Sequence, residues 1–287
     1  MIYRDAEDWR SADAKRLMLF GMSGLGKTYI SSMLRETAGW FHYSVDYRIG
    51  TRYMGEHIAD NAKAEAMKVP FLAELLKSDS IYIGSNITFE NLDPLSSYLG
   101  KPGNPKLGGL TFKEYQRRQD LHRSSEISAT LDAAHFIQRA KRIYGYDNFI
   151  CDSSGSICEV VDPSDPNDPV LKSLSETLLP VWIEGSDAHT EELIRRFDRD
   201  PKPMSYNAEF LAESWSAYLS ETGKSEAEVD PDAYIRWAYA QALAHRQPRY
   251  AAMAENWGVT VQTDDIAQVA SEADMVDLVA AALEARA

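Results

Sequence analysis

The sequence has only two cysteines in 287 residues, Cys151 and Cys158. Two cysteines cannot build a framework of several disulfides, and their spacing matches neither a C-x-x-C redox motif nor a zinc site. No apolar run approaches the ~18 residues that a membrane span needs, and the N-terminal MIYRDAEDWR lacks the apolar core of a signal peptide. We therefore expect a cytoplasmic protein without a membrane partner.

Basic residues are also scarce. The chain has 30 Lys and Arg against 44 Asp and Glu, which gives a formal net charge of −14. A protein that binds nucleic acid mainly through its phosphates needs a surplus of Lys and Arg, so nucleic acid is not the expected partner. A local basic cleft still allows a small anionic substrate. The six histidines are scattered, which excludes a histidine metal site and a Ser-His-Asp triad as working hypotheses.

Apolar residues are present in ordinary amount, since 44% of the chain is hydrophobic, and they predict a globular core. At ~150 residues per domain the length suggests two domains. Because α/β folds of this size are often one core with insertions, we expect a single elaborated domain over residues 1–287.

The spacing of the apolar residues predicts alternating strands and helices. Strands are predicted at 17–20, 40–45, 147–152, 179–183 and 258–262. Helices are predicted at 27–38, at 51–78 with a break at Pro70, at 111–144, from about 186 to Pro201, at 207–222, at 232–245 and from 265 onwards. This alternation indicates a doubly wound, mostly parallel α/β sheet with ligands at the carboxyl ends of the strands. The strand-like SIYIGSNITF is followed by many turn residues, so 78–126 is interpreted as a helical insertion that binds the acceptor.

One motif lies between the first predicted strand and the first predicted helix. Its residues are Gly21, Met22, Ser23, Gly24, Leu25, Gly26, Lys27 and Thr28, which match G-x-x-x-x-G-K-[ST] without a mismatch. In this context the motif predicts a phosphate-binding loop whose N–H groups and helix dipole attract phosphate oxygens. Lys27 is expected to reach the β- and γ-phosphates of ATP or GTP, and the Thr28 hydroxyl to ligate Mg²⁺.

Two acids follow predicted strands and are candidates for the same site. Asp152 closes the apolar run 149–151, as a Walker B acid that holds Mg²⁺ does, although a turn residue is the alternative. Asp46 follows the second strand and is a candidate general base, or simply a helix cap. Ser153 stands where motor-type ATPases usually have a water-activating Glu, which favours phosphoryl transfer over hydrolysis. Ser153 and Ser154 are candidate donors to a substrate, and a tight turn explains them equally well.

Arginines supply the remaining candidates. Arg48 and Arg52 are candidates to bind an anionic acceptor, because guanidinium groups bind carboxylate or phosphate bidentately, but solvated arginines are an equal alternative. Arg196 and Arg199 lie on one predicted helix and are candidates to stabilise the transferring phosphoryl group. The alternative is a surface pair between Glu192 and Arg196.

Taken together, these parts resemble the P-loop small-molecule and nucleotide kinases, in particular the shikimate kinase and gluconate kinase group. The resemblance covers 15–60, 147–204 and 244–284. RRFDRDPKPM at 195–204 is similar to the arginine-bearing lid of that group, so the resemblance implies a lid and helical elaboration over 186–245. Arg246, Pro248 and Tyr250 match its R-x-P-x-Y pattern. The resemblance also implies that Thr263 and Asp264 lie near the nucleotide base.

The chain departs from this group at several positions. The acidic pair after the second strand is reduced to Asp46, and DSSG at 152–155 replaces the glycine triplet of shikimate kinases. Residues 78–126 match nothing in the group, so the identity of the acceptor is left open. SVDYRIGT at 44–51 is also similar to the tRNA dimethylallyltransferases, with a compressed spacing.

The resulting hypothesis is an ATP- and Mg²⁺-dependent phosphotransferase that acts on a small molecule. Lys27, Asp46, Arg196 and Arg199 are its catalytic candidates, with Thr28 and Asp152 on the metal side. The alternatives are a nucleotide-dependent regulatory ATPase whose protein partner docks on 78–126, and a tRNA prenyltransferase. The sequence leaves the oligomeric state open.

Overall fold

A computed structural model describes residues 1–286 of the protein. Its single sheet has five strands: β1 (Arg16–Phe20), β2 (Phe41–Ser44), β3 (Phe149–Asp152), β4 (Leu179–Glu184) and β5 (Val259–Gln262). Their order is β2-β3-β1-β4-β5, and all neighbours are parallel. The predicted doubly wound parallel sheet is confirmed.

The helices flank this sheet or connect its strands through longer segments. They are α1 (Ala6–Ser11), α2 (Lys27–Ala38), α3 (Val45–Arg48), α4 (Gly55–Ala66), α5 (Pro70–Lys77), α6 (Asp93–Leu99), α7 (Phe112–Arg139), α8 (Ile157–Val160), α9 (Pro169–Ser175), α10 (Asp187–Arg199), α11 (Ala208–Thr222), α12 (Pro231–Trp257), α13 (Thr263–Ile266) and α14 (Glu272–Arg286). Short π-helical turns cover Ile49–Tyr53 and Ala140–Tyr144, and 3₁₀ turns cover Pro105–Leu107 and Glu226–Glu228.

The chain forms two compact units. The first contains Met1–Val45, Glu126–Pro201 and the chain from Arg236 onwards, and the second contains Asp46–Ser125 and Lys202–Ile235. All five strands belong to the first unit. Most of the region interpreted as an insertion, 78–125, belongs to the second.

The sheet is the core of the first unit. Leu17 to Phe20 in β1 have no exposed surface, and all four residues of β3 are buried. Continuous apolar strands of this kind are typical of parallel sheets, because helices cover both faces. Successive side chains of β2 point to opposite faces. Tyr43 lies on the face that α7 covers, and its hydroxyl donates a hydrogen bond to the Ala129 carbonyl of α7 at 2.6 Å.

The second unit is helical and has its own aromatic centre. Trp215 of α11 stacks on Phe112 with ring centroids 4.7 Å apart, and it meets the edge of Tyr234 at 4.8 Å. The Gln119 side chain of α7 accepts from the Tyr206 backbone N–H at 2.9 Å, which ties the segment before α11 to α7.

The strand-like segment 80–89 forms no strand and connects α5 to α6 in an irregular path. Two predicted boundaries were wrong. The helix predicted to end at 245 continues as α12 to Trp257 through Pro248. A proline removes one helix hydrogen bond. Burial of Ala242, Arg246 and Tyr250 along one face accompanies the continuation and offsets that loss.

The predicted last helix is divided into α13 and α14. The Ser271 hydroxyl accepts from the Asp274 N–H at 3.2 Å, and the Asp274 carboxylate accepts from the Ala270 N–H at 3.0 Å. Ser271 is thus the N-cap of α14, and the Asp274 carboxylate bonds the residue before it; such bonds are a helix start signal. They explain why a new helix begins here rather than the first one continuing.

Candidate functional site

The GMSGLGKT segment forms the turn between β1 and α2, at the carboxyl edge of the sheet. Gly21 has φ of 134°, and a Cβ there would lie 2.7 Å from the Ile183 carbonyl oxygen, so only glycine fits. Gly26 caps α2 with φ of 97° and offers no side-chain acceptor. The first N–H groups of a helix lack partners within the helix, and here no cap side chain accepts from them. The start of α2 is therefore suited to an anion.

Lys27 lies inside this loop. Its Nζ donates to the carbonyl oxygens of Gly21 at 2.9 Å and Met22 at 3.0 Å, and only 7% of the residue is exposed. The ammonium group is thus held among the backbone groups of the loop. A positive charge in this position is suited to phosphate oxygens that the loop would surround.

The hydroxyl of Thr28 and the carboxylate of Asp152 meet next to Lys27. Thr28 Oγ1 donates to Asp152 Oδ2 at 2.7 Å. The strands bring them together, because β1 pairs with β3 in a register that places Leu19 opposite Asp152. A hydroxyl whose proton is donated to a carboxylate keeps its lone pairs for a cation.

This donor set fits Mg²⁺. Mg²⁺ prefers oxygen ligands and is usually held by one or two carboxylates together with substrate phosphates. Within residues 1–286, no three His, Cys, Asp or Glu side chains cluster as a metal site built by the protein alone. The oxygens of Thr28 and Asp152 are the ones that would hold such a metal from the protein side.

His42 also lies at this carboxylate, and the sequence analysis missed it. Its Nε2 is 3.7 Å from Asp152 Oδ2, and its side chain has no exposed surface. The available signal was a histidine between the aromatic residues Phe41 and Tyr43 of a predicted strand.

The turn after Asp152 is buried. Ser153 is 3% exposed and Ser154 is 5% exposed. The Ser154 and Ser156 hydroxyls bond each other at 2.8 Å, and Ser156 Oγ donates to Glu126 of α7 at 2.7 Å. In this structure the two serines predicted to contact a substrate are engaged inside the protein.

Two residues of the R-x-P-x-Y pattern, both on α12, hold this turn by hydrogen bonds. The Gly155 carbonyl accepts from Arg246 Nη1 at 3.3 Å and from the Tyr250 hydroxyl. Burial raises the pKa of Tyr250 well above its usual range, so its hydroxyl stays a donor. The sequence pattern identified these residues but not their contacts.

Arg246 is paired with a buried acid that the sequence analysis also missed. Arg246 Nε donates to Glu159 Oε1 at 2.6 Å, and the two side chains are 2% and 1% exposed. Burial alone would raise the pKa of Glu159, but Arg246 and His245 outweigh it and hold that pKa at about 2. A single acid inside the apolar run 157–161 was the signal for a buried ion pair.

This pair predicts a pH-dependent contribution to stability. We expect Glu159→Gln to lower the free energy of unfolding at pH 7 by about 3–5 kcal/mol, because Arg246 is left buried without its counter-charge. The pKa of Glu159 is lowered from 4.5 to about 2 on folding. The contribution is therefore present above about pH 4.5 and is lost as the pH falls towards 2. Urea unfolding at several pH values should show the two stability curves converging in acid.

Glu272→Gln is the control for this prediction. Its carboxylate accepts from the neutral Trp40 Nε1 at 2.7 Å and Asn148 Nδ2 at 3.2 Å, and a glutamine oxygen still accepts there. We expect a loss below about 1 kcal/mol. An equal loss in the two variants would contradict the role given to the ion pair.

Helix α10 lies over the tip of the phosphate loop. A Cβ on Gly24 would be 3.2 Å from Leu193 Cδ2 and 3.7 Å from Arg196 Nη1. Glu192 forms an ion pair with Arg195 at 2.7 Å. The alternative interpretation of the sequence had paired Glu192 with Arg196. Arg199 lies one turn further along, at the exposed end of α10.

Helix α13 also contacts the phosphate loop. Ile266 Cγ2 would be 3.2 Å from a Cβ on Gly26. Thr263 Oγ1 donates to the Glu184 carbonyl at 2.8 Å, and Asp264 is 3.8 Å from His189 Nε2 of α10. Helix α13 thus contacts the loop through Ile266. That Thr263 and Asp264 lie near the nucleotide base stays a prediction.

Three predicted residues belong to the second unit. Asp46 lies two positions after the end of β2 and is half-buried. The Arg48 guanidinium lies over the Tyr53 ring at 5.6 Å, and Arg52 is exposed. This unit also has a cavity of about 630 Å³ between the start of α4 and residues 84–87, lined in part by Glu56 and Asp60.

Comparisons with known proteins find similar solved structures. No protein-family model matches the chain, and no curated protein matches it. A shikimate kinase from Bacteroides thetaiotaomicron is among the similar solved structures, with 14% sequence identity over 94% of this chain and 97% of that one and a TM-score of 0.40.

The class of the fold follows from the sheet and the loop themselves. A parallel sheet of order β2-β3-β1-β4-β5 with GMSGLGKT between β1 and α2 is an α/β fold of the P-loop NTPase type. Among residues 1–286, no helix is both long enough and apolar enough to span a bilayer.

Proposed function

We propose that the protein is an ATP-dependent phosphotransferase, which moves the γ-phosphoryl group of ATP to a hydroxyl of a small molecule. The observation that carries this proposal is the 2.7 Å hydrogen bond between Thr28 and Asp152 beneath a complete phosphate-binding loop. It joins the two residues that a nucleotide-bound cation needs on the protein side.

The residues of the first unit have distinct roles in this proposal. The N–H groups at the start of α2 donate to phosphate oxygens, and Lys27 supplies a positive charge to the β- and γ-phosphates. When bound, Mg²⁺ supplies further positive charge at these phosphates, and Thr28 and Asp152 are the residues that would hold it. Arg196 and Arg199 stabilise the charge that spreads over the transferring group.

The proposed acceptor chemistry rests on residues that follow β2. Asp46 takes the proton of the acceptor hydroxyl, and the acceptor oxygen forms a bond to the γ-phosphorus while the bond to the departing ADP breaks. Arg48 and Arg52 bind an anionic group of the acceptor. Transfer is favoured over hydrolysis because Asp152 is followed by the buried Ser153 rather than by an acid that could activate water.

The test is to follow the label of γ-labelled ATP, and separately GTP, with Mg²⁺ and a panel of nucleosides, nucleotides and sugar acids. We expect the label on one small molecule. Label released only as inorganic phosphate would contradict the proposal.

A nucleotide-dependent regulatory ATPase is the second candidate. Tyr82, within 78–126, is 92% exposed, and Phe71 of α5 is 69% exposed. These two exposed rings are where this candidate would place its protein partner. Phosphate release that a second protein stimulates, without transfer to a small molecule, would favour this candidate.

Arg196→Ala tests the role of α10. We expect kcat to fall about tenfold while KM for ATP changes less than about twofold, because the guanidinium acts on charge that develops during transfer and is partly screened by solvent. Arg195→Ala is the matched control, since Arg195 is engaged by Glu192. A higher KM at constant kcat would make Arg196 a nucleotide-binding residue instead.

A further inference from the structure

We propose that α12 sets the position of the phosphate-binding loop through the Gly155 carbonyl. Tyr250 and Arg246 are then positioning residues, which hold Gly155 against Ser23 without contacting the nucleotide. The inference rests on the proposed function only where ATP affinity is the measured quantity.

The Gly155 carbonyl oxygen accepts hydrogen bonds from Arg246 and Tyr250 of α12. These two residues lie one turn apart on the same face of the helix. Arg246 is 2% exposed and Tyr250 has no exposed surface. Water cannot readily replace either donor at such buried positions, so loss of one leaves the carbonyl with a weaker hold.

The second step is the contact between Gly155 and the loop. A Cβ on Gly155 would lie 2.6 Å from Ser23 Oγ and 3.4 Å from the Ser23 backbone nitrogen. The turn and the loop are therefore in direct contact, and a methyl group on Gly155 would displace the Ser23 hydroxyl. Any shift of Gly155 towards the loop moves Ser23, and any shift away removes its support.

The third step is the anchoring of α12 itself. The Tyr250 ring packs against Phe20, the last residue of β1, and against Trp182 of β4, with centroid distances of 6.2 and 6.4 Å. Arg249 donates to the carbonyls of Cys158 and Val161, both at 2.7 Å. One helix thus holds the strand that enters the loop, the turn beside it and the segment that follows the turn.

Tyr250→Phe tests the inference with little disturbance, because the ring that packs on Phe20 and Trp182 is kept. Tyr3→Phe is the matched control: its hydroxyl donates to Ala14 at 3.0 Å and accepts from the Arg16 N–H at 2.9 Å, at the opposite end of β1. Amide hydrogen exchange and thermal unfolding are measured for both variants.

We expect amides of residues 21–28 to exchange about tenfold faster in Tyr250→Phe, the factor that corresponds to one lost buried hydrogen bond, and at the wild-type rate in Tyr3→Phe. ATP affinity should fall in the first variant alone. Equal exchange in the loop of both variants would overturn the inference, whatever the change in Tm.

A double-mutant cycle tests the contact with Ser23. Gly155→Ala should weaken ATP binding through the clash with Ser23 Oγ, and its effect should be at least about threefold smaller in a Ser23→Ala background. Additive effects would overturn this step. If the wild-type protein binds no ATP, the proposed function fails, and hydrogen exchange in the loop still decides the inference.

Discussion

Replacing Lys27 by Met is expected to lower phosphoryl transfer by about 10³-fold or more while the protein stays folded. Methionine has nearly the length of lysine but no charge, so the loop keeps its packing and loses its cation. The structure holds the Lys27 ammonium between two loop carbonyls, at 2.9 and 3.0 Å. The substitution therefore removes charge from the centre of the anion site and not from its rim.

Lys15→Met is the matched control for this variant. Lys15 Nζ also donates to two backbone carbonyls, Ala12 at 2.9 Å and Arg10 at 3.4 Å, but it lies next to the amino end of β1. Both variants should lose about 1–3 kcal/mol of unfolding free energy, and only Lys27→Met should lose transfer. Transfer retained by Lys27→Met would contradict the assignment of the loop.

The sequence could predict the loop and Asp152 because their chemistry is local. A glycine-rich turn between a buried strand and a helix has few alternative conformations, and Gly21 confirms this by its close approach to Ile183. An acid at the end of an apolar strand reaches the carboxyl edge of any parallel sheet. Only the pairing of β1 with β3 was needed to place Asp152 beside Thr28.

The support of the loop could not be predicted in the same way. Glu159 and Arg246 are 87 positions apart, and their pairing depends on how α12 packs on the sheet. The same packing carries α12 through Pro248, against the local preference of proline to end a helix. Residues 80–89 have the β-propensity of a strand, but propensity cannot form a strand without a neighbour to pair with.

Replacing Asp152 by Asn is expected to raise the Mg²⁺ concentration that half-maximal ATP binding requires by about 100-fold. This is the upper end of the loss in metal affinity on replacing a residue at a metal site. Asparagine has the shape of aspartate and can still accept from Thr28, so the loop should keep its conformation. The substitution removes one negative charge from a residue that is 6% exposed. The Asp152 carboxylate lies 2.7 Å from the Thr28 hydroxyl. Titration of ATP binding with Mg²⁺ measures the effect.

Asp168→Asn separates this effect from the general cost of altering a buried aspartate. Asp168 is 7% exposed and caps α9 by accepting from the N–H groups of Val170 and Leu171, at 3.0 and 2.9 Å. Asparagine can still cap α9, but its Nδ2 would face the Asp162 N–H from which Asp168 Oδ2 accepts at 2.9 Å. Stability should therefore fall by about 1–3 kcal/mol, while Mg²⁺ dependence stays near wild type. Without Mg²⁺, Asp152→Asn should bind ATP at least as well as the wild type, because an anion near the phosphates has been removed. Weaker binding without the metal would instead assign Asp152 to the shape of the loop, and unchanged Mg²⁺ dependence would remove it from the metal side altogether.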